Sequence, residues 1–591
     1  MLDVMNELTQ FSPYGGTLFL DTVPGDTSHK TEAENIAVAA VGKDRTMYCY
    51  APRSGCPDFK QTQVLMVLRQ TADETSAREV MARLNLAALA EEKHFLLLLP
   101  NPAPGGWNTA PDASEEDDKE FLIRCFAMLR GGKLGVSGFN GLTFYLADCP
   151  AASALLLNFA ALKPLNVPAV AVGELPAGYT LPAGALGVET AAWCHNSPLA
   201  AAYFAKANGV DLTAGETADE VTAYTGKNPN VRLMVTRRPM DAAALKIAWE
   251  RLFSETRRWQ NDTYGTYQQR TNFTKRGFTA HVNDTSLGCN GGLPQTWYEY
   301  IPPQLRGTAE KVPLVFYFHG GSCVPLYGAE QSGWHDLADA ENFIVVYPKA
   351  SKNNAWNAWN DAKIPSDEDF LLALLAHMQT VHPVDESRVY LSGFSMGGMM
   401  ANAMACAHPE LFAAANPCNA YHEGYLSSYA AMMRRMQAGA GMDMETRAYD
   451  DPAEVSPVKQ EADRRKRQQD YRMPVLQVSG LLDCRWPITD EADKRLDTFR
   501  YWLAYNHIPL KPFVQSSGWE SGLTADETCY EGADQRFLHH RWHSPDAGNP
   551  ALYELLLAKR MPHAVDLRTF RMAWDFMRHY ARAKDGTLQI R

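Results

Sequence analysis

A serine at position 395 stands between glycines in Gly393-Phe394-Ser395-Met396-Gly397, directly after the apolar run Val389-Tyr390-Leu391. Glycines on both sides permit a tight turn that lifts a hydroxyl above the end of a strand. The Met- and Ala-rich segment that follows reads as a helix. Its N-terminus and the backbone amide of Met396 would face a developing oxyanion. A serine hydroxyl becomes a nucleophile only with a base, and the base needs an orienting carboxylate. His563 fits the base, because it follows an apolar strand at 553–558 and precedes the last amphipathic helix. Asp483 fits the acid, in the turn after an apolar strand at 474–480, with Asp490 a weaker candidate. His539, His540 and His543 compete for the base, but 537–542 reads as strand rather than as a turn after one. The chemistry implied is acyl transfer.

A second element, Phe318-His319-Gly320-Gly321-Ser322, ends another apolar strand. A Gly-rich turn there lets a backbone amide, that of Gly321, join Met396 in an oxyanion hole. His319 is a minor candidate for the base and otherwise structural or substrate-facing. Trp359 and Trp486 are expected to face substrate. No Cys or His spacing suggests a metal site, and the chemistry calls for no cofactor.

These residues need strands to carry them, and the strand pattern occurs twice. Met47-Tyr48-Cys49-Tyr50-Ala51-Pro52 parallels Trp297-Tyr298-Glu299-Tyr300-Ile301-Pro302, and Val64-Leu65-Met66-Val67-Leu68 parallels Leu314-Val315-Phe316-Tyr317-Phe318. Trp107-Asn108 parallels Trp356-Asn357 and Trp359-Asn360, each before an acidic cluster entering a helix. Pro239-Met240 and Pro562-His563 each precede a helix containing Ala-Trp. Short apolar strands alternating with helical patterns indicate a mostly parallel sheet covered on both faces. The first half therefore reads as a copy with its chemistry removed. In this alignment Arg69 replaces His319, Met240 replaces His563, and Asn140 in Ser137-Gly138-Phe139-Asn140 replaces Ser395.

Two domains suit 591 residues, placed at 1–255 and 256–591 with a linker near 255–276. Segments near 421–472 and 515–549 read as insertions of the second half alone, the first as a cap and the second bordering the site. A net charge of −12 argues against a nucleic-acid partner. No stretch is long enough to span a bilayer, and Met1 to Glu7 does not read as a signal peptide. The expectation is a cytoplasmic protein with mostly reduced thiols; a Cys289–Cys323 bridge is the alternative for an exported one.

With these residues in place, roughly 290 to 591 resembles the esterase family of polyhydroxybutyrate depolymerases and feruloyl or acetylxylan esterases. The marks are the His-Gly-Gly turn, the Trp-Asn pair, the block from Gly393 to Asn402, Gly480-x-x-Asp483 and Pro562-His563. The resemblance implies two tandem α/β-hydrolase-like domains and a metal-free reaction through an acyl-serine. It implies small or oligomeric ester substrates: acylated sugars, phenolic esters or hydroxyacid oligomers. A prolyl-oligopeptidase-type amidase and a non-catalytic scaffold are the competing readings, and the pattern leaves a homodimer open.

Overall fold

The structure is a computed structural model of the 591-residue chain. It describes residues 7–25, 43–109, 117–130, 132–358, 364–420, 471–483, 496–514 and 522–591. The chain forms two compact units, Met1–Asn272 and Phe273–Arg591. The boundary thus falls later than the expected 255/256. The stretch 256–272 belongs to the first unit because its hairpin, Thr256–Trp259 with Thr266–Gln269, is pinned there. Buried Arg257 donates to the Lys60 carbonyl and Gln61, and buried Arg258 to the carbonyls of Pro164 and Val167. Polar sequence suggested a linker, but these arginines serve as internal donors.

Each unit is built on one ten-stranded mixed sheet. We number the sheet strands in chain order. In the first unit they are β1 (Phe19–Val23), β2 (Arg45–Tyr50), β3 (Val64–Leu68), β4 (Leu96–Pro100) and β5 (Thr143–Ala147). They continue as β6 (Ala169–Val172), β7 (Ala191–His195), β8 (Glu216–Ala218), β9 (Val221–Thr225) and β10 (Arg232–Thr236). In the second unit they are β11 (Thr279–Asp284), β12 (Gln295–Tyr300), β13 (Val312–Phe318), β14 (Ile344–Pro348) and β15 (Val384–Phe394). The last are β16 (Ala414–Cys418), β17 (Val475–Gly480), β18 (Glu527–Glu531), β19 (Phe537–His543) and β20 (Ala551–Ala558).

The first sheet runs β8-β9-β10-β7-β6-β5-β3-β4-β2-β1, and the second runs β18-β19-β20-β17-β16-β15-β13-β14-β12-β11. Every strand has its counterpart ten numbers on, and parallel and antiparallel pairings match throughout. Central strands such as β3, β4, β13 and β14 are buried along their whole length, as a parallel sheet covered on both faces requires. Small details recur as well. Phe95 stacks on Trp249 at 4.0 Å between ring centres, and Phe343 on Trp574 at 4.1 Å.

The region 515–549 differs from expectation. Residues 515–521 lie outside the described part, but 527–531 and 537–543 are β18 and β19, which extend the sheet. They are not unique to the second unit, since β8 and β9 occupy the same places in the first. The expected cap, 421–472, lies outside the described residues apart from its last two. Cys289 and Cys323 are not bridged to each other. No helix among the described residues is long and apolar enough to cross a membrane.

Candidate active site

Register locates the site. Phe318 on β13 pairs with Gly393 on β15, two residues before Ser395. These neighbours flank the point where the chain's direction of winding reverses: β13 leads to β14 on one side, and the next strand, β15, lies on the other. A crevice opens at the carboxyl ends of strands at such a point. Ser395 sits there with φ 54° and ψ −120°, and the helix Met396–Ala407 starts at the next residue. A side chain with positive φ is strained and persists only when its surroundings hold it. Here the Ser395 amide donates to the Cys418 carbonyl of β16 at 2.8 Å. The glycines are required by space. A Cβ on Gly393 would lie 2.3 Å from the Gly397 carbonyl oxygen, and one on Gly397 2.1 Å from that of Phe318.

Three side chains expected from sequence meet. The Ser395 hydroxyl lies 2.8 Å from His563 Nε2, and His563 Nδ1 lies 2.7 Å from Asp483 Oδ2. Asp483 is buried, with its amide turned back to the Gly480 carbonyl at 3.1 Å. A buried carboxylate facing Nδ1 fixes the tautomer with hydrogen on Nδ1, leaving Nε2 as acceptor for the serine proton. The Phe394 ring packs 5.0 Å from the imidazole and limits its rotation.

The oxyanion candidates also adjoin. A Cβ on Gly321 would lie 3.3 Å from Met396 Sδ and 3.6 Å from Met396 Cβ. The amide of Ser322 donates to the Asn354 carbonyl and that of Cys323 to the Gly320 carbonyl. Those of Gly321 and Met396 make no backbone hydrogen bond among the described residues.

His319 is not a substrate contact. Its side chain is fully buried, Nε2 accepts from the Ala350 amide at 3.1 Å, and Nδ1 faces the Gly320 carbonyl at 2.8 Å. Burial pushes its pKa down to about 4. It is a neutral pin that closes the Gly-rich turn, with Trp356 Nε1 donating to its carbonyl at 2.7 Å. Trp359, Trp486 and Asp490 lie outside the described residues. His539, His540 and His543 are on β19, in keeping with the reading of 537–542 as strand.

Asn419 was missed by sequence reasoning, because an asparagine after a strand looks like an ordinary turn residue. Its side-chain oxygen accepts from the Gly480 amide at 2.8 Å, and its side-chain amide donates to the Ala564 carbonyl. One side chain thus ties the strand end carrying Asp483 to the loop carrying His563. Gly480 completes the closure: a Cβ there would lie 2.3 Å from the Met561 carbonyl oxygen.

The first unit corrects the alignment of Asn140. Arg69 and His319 are true counterparts, since Trp107 Nε1 donates to the Arg69 carbonyl at 2.6 Å as Trp356 does to that of His319. Leu68, the residue before Arg69, pairs with Ala147 on β5. Two residues further is Cys149, at the head of the helix Pro150–Leu162. Cys149 therefore occupies the place of Ser395. Asn140 lies before β5, at the other end of the strand. The shared Ser-Gly-Phe sits in non-equivalent places, so local identity misled where register did not. Cys149 has an ordinary extended φ of −152° and forms no elbow. Beside it Arg83 pairs with Asp148 and donates to the Met240 carbonyl at 3.1 Å.

Two outcomes follow. Asn419→Ala should lower kcat/KM for an ester substrate roughly ten- to a hundredfold, as loss of alignment near 1 Å does; an unchanged value would show that Asn419 does not position the acid and base loops. His319 folds with a depressed pKa, so the unfolded chain binds the proton more readily between about 4 and about 6.5. Its contribution to stability is therefore full above about 6.5 and is lost as pH falls toward about 4. Urea midpoints should decline over that window, and His319→Asn should flatten the decline; an equal slope in the variant would contradict the assignment.

Comparison with known proteins bears on this half. Residues 296–483 match the family model described as Esterase PHB depolymerase. Feruloyl esterase B of Talaromyces funiculosus is 32% identical over 136 residues, 22% of this chain and 37% of that protein. Poly(3-hydroxyalkanoate) depolymerase C of Paucimonas lemoignei is 32% identical over 141 residues, 22% of this chain and 33% of that protein. The chain thus spans little more than a third of the length of these curated relatives. The solved acetyl xylan esterase from Aspergillus awamori aligns with a TM-score of 0.34 and 16% identity, over 51% of this chain and 98% of that one. The matched stretch contains both Ser395 and Asp483, and over it the second unit is similar to esterases of the polyhydroxybutyrate depolymerase type.

Proposed function

We propose that the second unit hydrolyses carboxylic esters through an acyl-serine intermediate. The observation that carries this reading is the continuous chain from Ser395 Oγ through the His563 ring to Asp483, at 2.8 and 2.7 Å. His563 Nε2 takes the hydroxyl proton as Ser395 Oγ bonds to the acyl carbon, and Asp483 stabilises the imidazolium that forms. The carbonyl oxygen gathers charge toward the amides of Gly321 and Met396 and the head of the helix Met396–Ala407. The ester C–O bond then breaks, and His563 returns the proton to the departing alkoxide. Water repeats the sequence: His563 takes its proton, hydroxide adds to the acyl carbon, and the proton returns to Ser395 as the acid leaves.

Feruloyl, acetyl-sugar and hydroxyacid esters are the substrate classes we infer, from the named activities of the relatives. The first unit we read as a non-catalytic copy of the same fold. There the elbow is absent, Arg69 stands for His319, and Arg83 pairs with Asp148 and donates to the Met240 carbonyl.

Ser395→Ala should reduce p-nitrophenyl ester turnover by about 10⁴-fold or more while leaving the thermal midpoint near that of the wild type. Cys149→Ala should keep full turnover. Residual wild-type rates in the serine variant would remove the mechanism, and their loss in the folded cysteine variant would remove the assignment of the first unit as silent.

A further inference from the structure

The turn that carries the Gly321 amide is held from outside by one loop, residues 350–357. Three contacts join them. The Ala350 amide donates to His319 Nε2 at 3.1 Å, and the Ser322 amide donates to the Asn354 carbonyl at 2.9 Å. Trp356 Nε1 donates to the His319 carbonyl at 2.7 Å. Gly321 lies between the residues so fixed, His319 and Ser322. Ser322 has φ 58°, and Asn353 and Asn354 in the loop have φ 54° and 53°. Asparagine tolerates that region, but a serine there is held by its surroundings.

The loop is itself closed by a single carboxylate. The Ser351 amide donates to Asp367 Oδ1 at 2.8 Å, and the Asn357 amide donates to Asp367 Oδ2 at 2.6 Å. The two oxygens therefore grip both ends of the loop, each one residue from a donor that reaches His319. Amide-to-carboxylate bonds are charge-assisted and roughly twice as strong as neutral ones. Asp367 is 1% exposed and opens the helix Asp367–Val381, whose N-terminal end favours a negative charge. That helix end is anchored in turn by Asn290. Its Oδ1 accepts from the Ser366 amide at 2.8 Å, and its Nδ2 donates to the Ser366 carbonyl at 2.9 Å.

The first unit keeps this frame and changes the charge. Asp118 accepts from the Asn108 amide at 2.6 Å, as Asp367 does from that of Asn357, but it also pairs with Arg45. By register Arg45 matches Gln295, since Met47 faces Pro100 as Trp297 faces Pro348. Gln295 is neutral and accepts from the Ser351 hydroxyl at 3.2 Å. Where the strained serine is present, the carboxylate faces loop amides on both oxygens; where it is absent, a guanidinium takes a share.

We infer that Asp367 is a positioning residue for the oxyanion hole: by gripping the amides of Ser351 and Asn357 it sets the loop that orients the Gly321 amide beside Met396. This role rests on the esterase reading of Ser395. Asp367 acts through loop 350–357 and the His319 turn, not on the substrate.

Asp367→Asn tests it in the full chain, because asparagine is close in volume, keeps one acceptor oxygen and turns an amide group toward the other loop end. For a p-nitrophenyl ester, kcat should fall about ten- to a hundredfold with KM within about twofold. The matching thionoester carries sulfur, a poorer acceptor than oxygen, so it should lose less and the ester-to-thionoester rate ratio should shrink. Hydrogen exchange of the peptide spanning 318–323 should quicken. An equal loss on both substrates, a wild-type ratio, or unchanged exchange at 318–323 would overturn the role while leaving the esterase reading in place. A wild-type protein that neither turns over esters nor takes a fluorophosphonate at Ser395 would remove that reading, and this role with it.

Discussion

The backbone of Ser395 is the constraint on which the site depends. A residue with a side chain is held at φ 54°, a conformation that costs on the order of 1–3 kcal/mol. The elbow is held by β13 on one side and β16 on the other, with Gly393 and Gly397 removing the atoms that would collide. Once the serine is lifted, its hydroxyl can reach a histidine presented from a loop 168 residues later. That loop is placed in turn by Gly480 and Asn419. The strain is local, but the scaffold that holds it is the whole parallel core.

The first unit shows what happens to the same scaffold without the elbow. Its sheet repeats the order and sense of all ten strands, and its tryptophans repeat the same contacts. Where the strained turn would be, Cys149 adopts an extended φ and Pro150 begins the helix in relaxed form. Polar side chains then settle the exposed groups. Arg69, fully buried, donates to the carbonyls of Thr71 and Asp73 and pairs with Asn101. His319 achieves a comparable closure of the Gly-rich turn as a neutral ring. Arginine and histidine meet one structural demand, the ordering of the turn after the third strand of each sheet. Of these two equivalent positions, the second unit's alone carries a serine in the strained turn.

Much of this was legible in sequence, and the failures have physical causes. Ser395, Asp483 and His563 were readable because each follows a strand of clear apolar pattern, and strand order then brings them together. Gly321 and Met396, expected from the turn types, lie side by side. Asn140 misled because a short motif was weighed above strand register. The Leu68–Ala147 pairing is a contact 79 residues apart that no local pattern reveals. The boundary was misplaced because buried Arg257 and Arg258 look like surface residues until their carbonyl partners are known. Asn419 escaped for the same reason: its partners, Gly480 and Ala564, are distant in sequence.

The central claim is that one serine per chain is activated, and it is Ser395. Fluorophosphonate treatment of the intact protein followed by peptide mass mapping tests this most directly. The account predicts a single adduct, on the peptide spanning Val389 to Met400, absent after His563→Ala. An adduct in the first unit, or none in a folded sample, would contradict it.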